Sequence, residues 1–134
     1  MSLVVDASIL VAWFLDEKTA PRVEAAFDTV ARVETHAPNL IHYEIRNALL
    51  MSQRRNRITE AMSAAFLRDL ALLPIRLEPA REDTSLLTLI RKRKLIVYDA
   101  AYLELARREG WPLATLDHGL EKAAVAESVA LFGA

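Results

Sequence analysis

The chain has 134 residues, a formal net charge of −1 and 53% hydrophobic residues, which is typical of a single globular domain, here taken as residues 1–134. With only three glycines and five prolines, it is expected to be compact and helix-rich rather than disordered. The absence of cysteine excludes disulfides and thiolate metal sites and suits a reducing compartment. No basic leader and no apolar run of ~18 residues is found, so a cytoplasmic protein with no membrane association is expected.

Short apolar strands alternate with helical patterns along the chain. The first strand is predicted at 2–5, and Asp6 then begins a helix that runs to about Asp16. Further helices are predicted at 21–33, 40–55, from Thr59 onward, at 79–93, 98–108 and 118–126, and further strands at 35–37, 75–77, 112–116 and 128–132. This alternation predicts an α/β fold with a mainly parallel central sheet of about four to five short strands flanked by helices. The helical pairs that follow the first and second strands are expected to build an arm available for self-association.

Four acidic residues stand out against this pattern. Asp6 and Asp117 each end an apolar strand, and the carboxyl ends of parallel strands line one crevice of an open sheet. Glu44 lies within the apolar stripe of its helix, where a carboxylate is costly unless it is paired or bound to a metal. Asp99 shares a helix face with Tyr102 and other apolar residues. The alternative is that Asp6, Asp99 and Asp117 are ordinary helix N-caps.

If the four acids converge, they form a dense negative pocket suited to a hard divalent cation. All-oxygen ligation favours Mg²⁺ or Mn²⁺. The three histidines, His36, His42 and His118, have no i, i+4 pairing, so zinc is not expected. Neither a Gly-x-Ser-x-Gly elbow nor a glycine-rich nucleotide loop is present, which argues against a serine nucleophile and a nucleotide cofactor.

Three polar residues lie close to these acids in the sequence. Ser8 and Thr115 are expected to cap helices or to hold a carboxylate or a water. Asn47 lies three residues after Glu44 and is placed to hydrogen-bond to it or to a metal-bound water.

Basic residues are clustered although the net charge is close to zero. Arg54, Arg55 and Arg57 follow one predicted helix, and residues 91–94 form the unbroken run RKRK. Such clusters can hold phosphates, which makes Arg54, Arg55, Arg91 and Lys92 candidate nucleic-acid contacts. The alternative for either cluster is a solvated helix end whose cations complement the helix dipole.

Taken in order, four segments resemble the PIN-domain ribonucleases and, within them, the VapC toxins of toxin–antitoxin modules. They are residues 4–10 (VVDASIL), 44–49 (EIRNAL), 98–102 (YDAAY) and 114–117 (ATLD). The resemblance implies a three-layer PIN-like fold and a Mg²⁺- or Mn²⁺-dependent endoribonuclease that leaves 5′-phosphate ends. It also implies a homodimer and a cognate VapB-like antitoxin that covers the acidic site.

The resemblance also implies roles for particular residues of this sequence. Asp6, Glu44, Asp99 and Asp117 correspond to the acidic residues that bind the metal and carry catalysis. Ser8, Asn47 and Thr115 correspond to the supporting polar positions.

Other functions stay open at this point. A housekeeping RNA-processing or DNA-cleaving relative has the same motifs. A receiver-like phosphoacceptor module also has a strand-terminal aspartate, but it requires an acidic pair beside the first strand and a lysine after the last strand, and neither is present. A non-catalytic binding protein is the third alternative.

Overall fold

A computed structural model describes residues 1–15, 21–30 and 32–133. Within these ranges the chain forms four strands and seven helices, in the order β1 (Ser2–Val5), α1 (Ala7–Phe14), α2 (Pro21–Val30), β2 (Glu34–Pro38), α3 (Ile41–Arg54), α4 (Glu60–Ala71), β3 (Ile75–Glu78), α5 (Asp83–Arg93), α6 (Val97–Glu109), β4 (Leu113–Ala114) and α7 (His118–Ala126).

The four strands form one parallel sheet in the order β3-β2-β1-β4. From β1 the chain first builds outward through β2 and β3, and then returns to add β4 on the other side of β1. The change of direction between β1 and β4 is a topological switch point, where open α/β sheets bind their ligands. The prediction of a mainly parallel, three-layer α/β fold is confirmed.

Apolar burial explains why the helices cover the sheet. Leu3, Val4 and Val5 of β1 are fully buried, because parallel strands are covered on both faces. Helix α6 packs on β1, β2 and β4 and buries Leu103 and Leu105. Helices α1 to α4 form one packed set and α5 to α7 another. Within the described residues, no helix has the length and apolarity to cross a membrane.

Helix ends follow the local chemistry of the sequence. Asp6, Thr59 and Asp117 each adopt an extended backbone and accept a hydrogen bond from a backbone N–H three residues later. Helix α6 ends at Gly110, whose φ of 71° lies in the left-handed region that glycine adopts at little cost.

Four predicted boundaries are wrong. The strand predicted at 112–116 is reduced to Leu113–Ala114, because the N–H groups of residues 116 and 117 donate to the Ser8 and Thr115 hydroxyls instead of to a neighbouring strand. Helix α5 begins at Asp83 rather than at Pro79, because 79–82 lead the chain away from β3 and Glu82 provides the extended N-cap. The strand predicted at 128–132 is reduced to one bridge between Leu131 and Leu113, since Ser128 turns the chain with a φ of 59°. Helix α2 ends at Val30, and a turn follows instead of the predicted extension to 33. The predicted end of the first helix, Asp16, lies outside the described residues.

Candidate active site

Asp6 lies at the carboxyl end of β1, beside the carboxyl end of β4. The register that pairs Val5 with Ala114 brings Thr115 next to Asp6, and the Asp6 N–H donates to the Ala114 carbonyl at 3.1 Å. The Thr115 hydroxyl donates to Asp6 Oδ2, and the Ser8 hydroxyl donates to Oδ1 at 2.6 Å. Both hydroxyls also accept a backbone N–H, Ser8 from Leu116 and Thr115 from Asp117. Two hydroxyls therefore join the two strand ends around one carboxylate.

The environment of Asp6 disfavours a bare negative charge. Burial raises the pKa of Asp6 to about 6, although hydrogen bonds from Ser8, Thr115 and the Ile9 N–H partly offset this; the nearby Glu44 carboxylate adds to the rise. No Lys or Arg in the described chain forms an ion pair with Asp6. A buried carboxylate in this situation gains from a cation placed against it.

Glu44 is half-buried on α3, and its partner comes from α6. The hydroxyl of Tyr102, a fully buried side chain, donates to Glu44 Oε1 at 2.6 Å. Burial, followed by the contact with Glu44, raises the pKa of Tyr102, so the phenol remains a donor. The sequence analysis did not assign Tyr102 to the site. Its position three residues after Asp99, on the same helix face, was the available signal.

The N-cap alternative has different outcomes for the three aspartates. Asp6 caps α1 and Asp117 caps α7 through a 2.8 Å bond from the Leu120 N–H. For Asp99 the alternative is wrong, because α6 begins two residues earlier and Ile96 occupies its N-cap position. Burial raises the pKa of Asp99, and the carboxylates of Asp117 and Glu44 raise it further.

The four acids lie in one region of the fold. The carboxylates of Asp117 and Glu44 are near enough to raise the pKa of Asp99, and the Glu44 carboxylate is near enough to raise that of Asp6. None of the four is paired with a cation in the part of the chain that the structure describes. No three acidic or histidine side chains of these residues are close enough to hold an ion directly. This donor set fits a cation that keeps several of its waters, as Mg²⁺ does.

A cleft of about 630 Å³ opens beside this region. Glu44 and Ser8 line it, together with Asn47, which is exposed and forms no hydrogen bond with Glu44. Two exposed aromatic rings, Tyr43 and Tyr98, stand at its rim. We call it the acidic cleft; its wall is formed by Ala7, Ser8, Val11, Leu40, Tyr43, Glu44, Asn47, Ala48 and Tyr98.

The predicted basic contacts lie outside the acidic cleft. Arg54 and Arg55 are exposed at the far end of α3, about 15 Å of helix beyond Glu44. Arg91 and Lys92 are exposed in the last turn of α5. The Lys92 ammonium lies 3.3 Å from Glu127 Oε2, so its charge is already partly compensated.

Comparison with known proteins identifies the class. The PIN domain family model matches residues 3–126, and the chain belongs to the PIN-domain family. A curated relative is Ribonuclease VapC3 of Pyrobaculum aerophilum, which is 34% identical over 125 residues that cover 90% of this chain and 92% of the relative.

Solved structures show the same fold. The crystal structure of PAE2754 from Pyrobaculum aerophilum superposes with a TM-score of 0.71 at 24% identity, covering 92% of this chain and 79% of that one. A toxin–antitoxin complex from Klebsiella pneumoniae matches with a TM-score of 0.59 at 14% identity and 86% coverage of both chains.

Proposed function

We propose that this protein is a Mg²⁺- or Mn²⁺-dependent endoribonuclease and the toxin of a toxin–antitoxin pair. The observation that carries the proposal is the gathering of Asp6, Glu44, Asp99 and Asp117 at the switch point of the sheet, without a compensating cation in the described chain. The relative named as a ribonuclease supports the choice of RNA as substrate.

The chain contributes a pre-arranged set of carboxylates. Ser8 and Thr115 fix the orientation of Asp6, and Tyr102 fixes that of Glu44. Asp117 is held at the start of α7 by its own capping bond. Asn47 lines the cleft, where its amide can hold a water or a sugar hydroxyl. These restraints lower the cost of holding like charges together when substrate binds.

A divalent ion held by these carboxylates would stabilise charge on the phosphate and activate a water for in-line attack. No histidine or lysine lines the acidic cleft, so among its lining residues a carboxylate, Glu44, is the group suited to accept a proton. The carboxylates then act by orienting and by charge, and the product should carry a 5′-phosphate.

The direct test incubates purified protein with single-stranded RNA and, in parallel, DNA of the same sequence. We expect cleavage of RNA with Mg²⁺ or Mn²⁺, none after EDTA, and none by the Asp6→Asn variant. Undiminished cleavage in EDTA contradicts the metal mechanism, and equal cleavage of DNA contradicts the substrate. Sequencing of the cleaved ends identifies the site and the terminal phosphate.

The same proposal includes a protein partner and a homodimer. A small antitoxin that inserts a basic side chain into the acidic cleft would supply the charge that the four carboxylates lack. The toxin–antitoxin complex with the same fold supports this expectation. Expression from the native locus should yield a complex of the two chains, with this protein dimeric by light scattering. Recovery of only a free and non-toxic chain contradicts the toxin assignment and leaves the nuclease proposal intact.

A further inference from the structure

A second charged feature lies between the end of α5 and the exposed side of α7. It is a groove of about 400 Å³, lined by four cations, one glycine and two alanines. We call it the basic groove; the residues that line it are Lys92, Arg93, Lys94, Gly119, Lys122, Ala123 and Ala126.

One buried acid neutralises only part of this charge. Glu127 has a side chain that is 4% exposed and accepts from Arg93 Nε at 2.7 Å, and Lys92 lies 3.3 Å from it. The hydrogen bond from Arg93 is the main reason that the pKa of Glu127 lies below its ordinary range, so this acid remains charged. The basic groove therefore has an internal ion pair at one wall and retains a net positive charge.

Lys94 and Lys122 supply that excess. Both are exposed, and neither forms a salt bridge with any residue that the structure describes. Lys94 ends α5 with a φ of 54°, a left-handed conformation that is uncommon for a residue other than glycine. Two uncompensated ammonium groups facing one groove favour a ligand with several negative charges.

The basic groove meets the acidic site at Gly119. Gly119 lines the groove, and a Cβ atom added to it would lie 3.2 Å from Asp117 Oδ1, so this carboxylate adjoins one end of the groove. A polyanion that follows the basic groove thus arrives at Asp117.

We propose that the basic groove holds the RNA backbone next to the cleaved bond, with Lys94 and Lys122 contacting neighbouring phosphates. This inference rests on the proposed function. The four carboxylates repel an approaching polyanion, whereas the basic groove attracts it. Lys94 and Lys122 thereby replace Arg54, Arg55 and Arg91 as the main phosphate contacts, and Lys92, paired with Glu127, is secondary.

The test measures binding of a fluorescent single-stranded RNA in EDTA, so that cleavage does not contribute. Each phosphate contact to a single strand adds about 0.7 to the slope of log K against log salt concentration. We expect Lys94→Ala and Lys122→Ala each to weaken binding at low salt and to reduce the slope by about 0.7, and the double variant by about 1.4. Lys94→Arg should restore binding, because it keeps the charge.

Arg55→Ala is the matched control, since it removes one exposed cation at the far end of α3. A wild-type salt slope in the lysine double variant overturns the proposal. So does a loss of RNA affinity in Arg55→Ala equal to that in a single lysine variant. Tight binding of a poly-glutamate peptide of equal charge would also overturn it and identify a site for acidic protein. RNA cleavage by the wild type is scored separately. If the wild type cleaves RNA and the lysine variants bind it as well as the wild type does, the basic groove is rejected and the nuclease proposal stands. If binding depends on the lysines but the wild type does not cleave RNA, the nuclease proposal is rejected and the groove stands.

Discussion

At the residue scale, the candidate site is a set of carboxylates for which the described residues provide no counter-charge. Asp6 is buried and restrained by three hydrogen bonds, while Asp99 is flanked by two other acids. Keeping these carboxylates ionised and close together lowers the free energy of unfolding. A bound cation would offset this destabilisation, which is why we expect these residues to act through a metal.

The first residue prediction concerns Asp99→Asn. The change removes one charge from the cluster and nearly conserves shape, so the metal-free variant should be as stable as the wild type or more stable, yet unable to cleave RNA. Mn²⁺ should raise the Tm of the wild type much more than that of the variant, by mass action. Thermal melts of both proteins with and without Mn²⁺ measure this. Equal metal-induced shifts in Tm would show that Asp99 does not take part in metal binding.

The second residue prediction concerns Tyr102→Phe. The ring keeps its packing, but Glu44 loses the phenol that donates at 2.6 Å. We expect cleavage to fall about tenfold, which corresponds to ~1.4 kcal/mol of transition-state stabilisation, and stability to fall by about 1 kcal/mol. Tyr43→Phe removes an exposed phenol beside Glu44 and is the control. The role of Tyr102 is refuted if both variants cleave at the wild-type rate.

At the element scale, the ends of β1 and β4 and the start of α7 position the site. The Asp6 carboxylate is held from β1, α1 and the segment after β4, so three elements share one group. At the start of α7, the Asp117 carboxylate has two roles. It caps the helix, and it lies near the other acids, since it raises the pKa of Asp99. A change in the first turn of α7 should therefore affect activity more than stability.

Gly119→Ala tests this at the α7 terminus. Alanine favours the helix by up to about 1 kcal/mol, but its Cβ would lie 3.2 Å from Asp117 Oδ1, so the carboxylate must shift by a few tenths of an ångström. We expect little change in Tm and a severalfold loss of cleavage. Gly110→Ala is the opposite case, because its Cβ meets nothing within 4 Å while its φ of 71° strains alanine by about 1–2 kcal/mol. Gly110→Ala should have a lower Tm and cleave RNA at the wild-type rate. If instead Gly119→Ala loses only stability and Gly110→Ala loses only cleavage, the assignment of Asp117 to the site is contradicted.

At the scale of the whole molecule, charge of both signs is divided between two neighbouring surfaces. Over the whole chain 17 Lys and Arg offset 18 Asp and Glu, which is why a net charge of −1 gives no indication of a nucleic-acid ligand. The charged groups of these two surfaces also make the free energy of unfolding depend on pH. Burial raises the pKa of Asp6, while the hydrogen bond from Arg93 lowers that of Glu127, so the two groups give opposite pH dependences of stability.

The pH dependence of Asp6 can be isolated in metal-free protein. Its pKa is 3.8 when unfolded and about 6 when folded, so its contribution to stability is complete below pH 3.8 and is lost as the pH rises through 6. The loss amounts to about 3 kcal/mol at 1.4 kcal/mol per pKa unit. Urea unfolding of wild type and Asp6→Asn should therefore show a stability difference that moves in favour of the variant between pH 4 and 7. A difference that does not vary with pH contradicts this account, and Mn²⁺ should reduce the effect in the wild type.

The sequence by itself determined the features that depend on near neighbours along the chain. Strand and helix alternation predicted the parallel α/β sheet, and Asp6 and Asp117 could be recognised as candidate helix N-caps because a cap acts within three residues. Local patterns were less informative at Pro79 and at 128–132, where the path of the chain between elements sets the boundary.

Only the tertiary structure decided which distant groups meet. Thr115 reaches Asp6 across 109 positions, and Tyr102 reaches Glu44 across 58, because strand register and helix packing bring them together. Likewise, the sequence offered two basic clusters of equal merit, and packing of α5 and α7 on α6 placed one near Asp117 and left the other at the far end of α3. Contacts of this kind depend on the summed burial of the whole core, which no local pattern encodes.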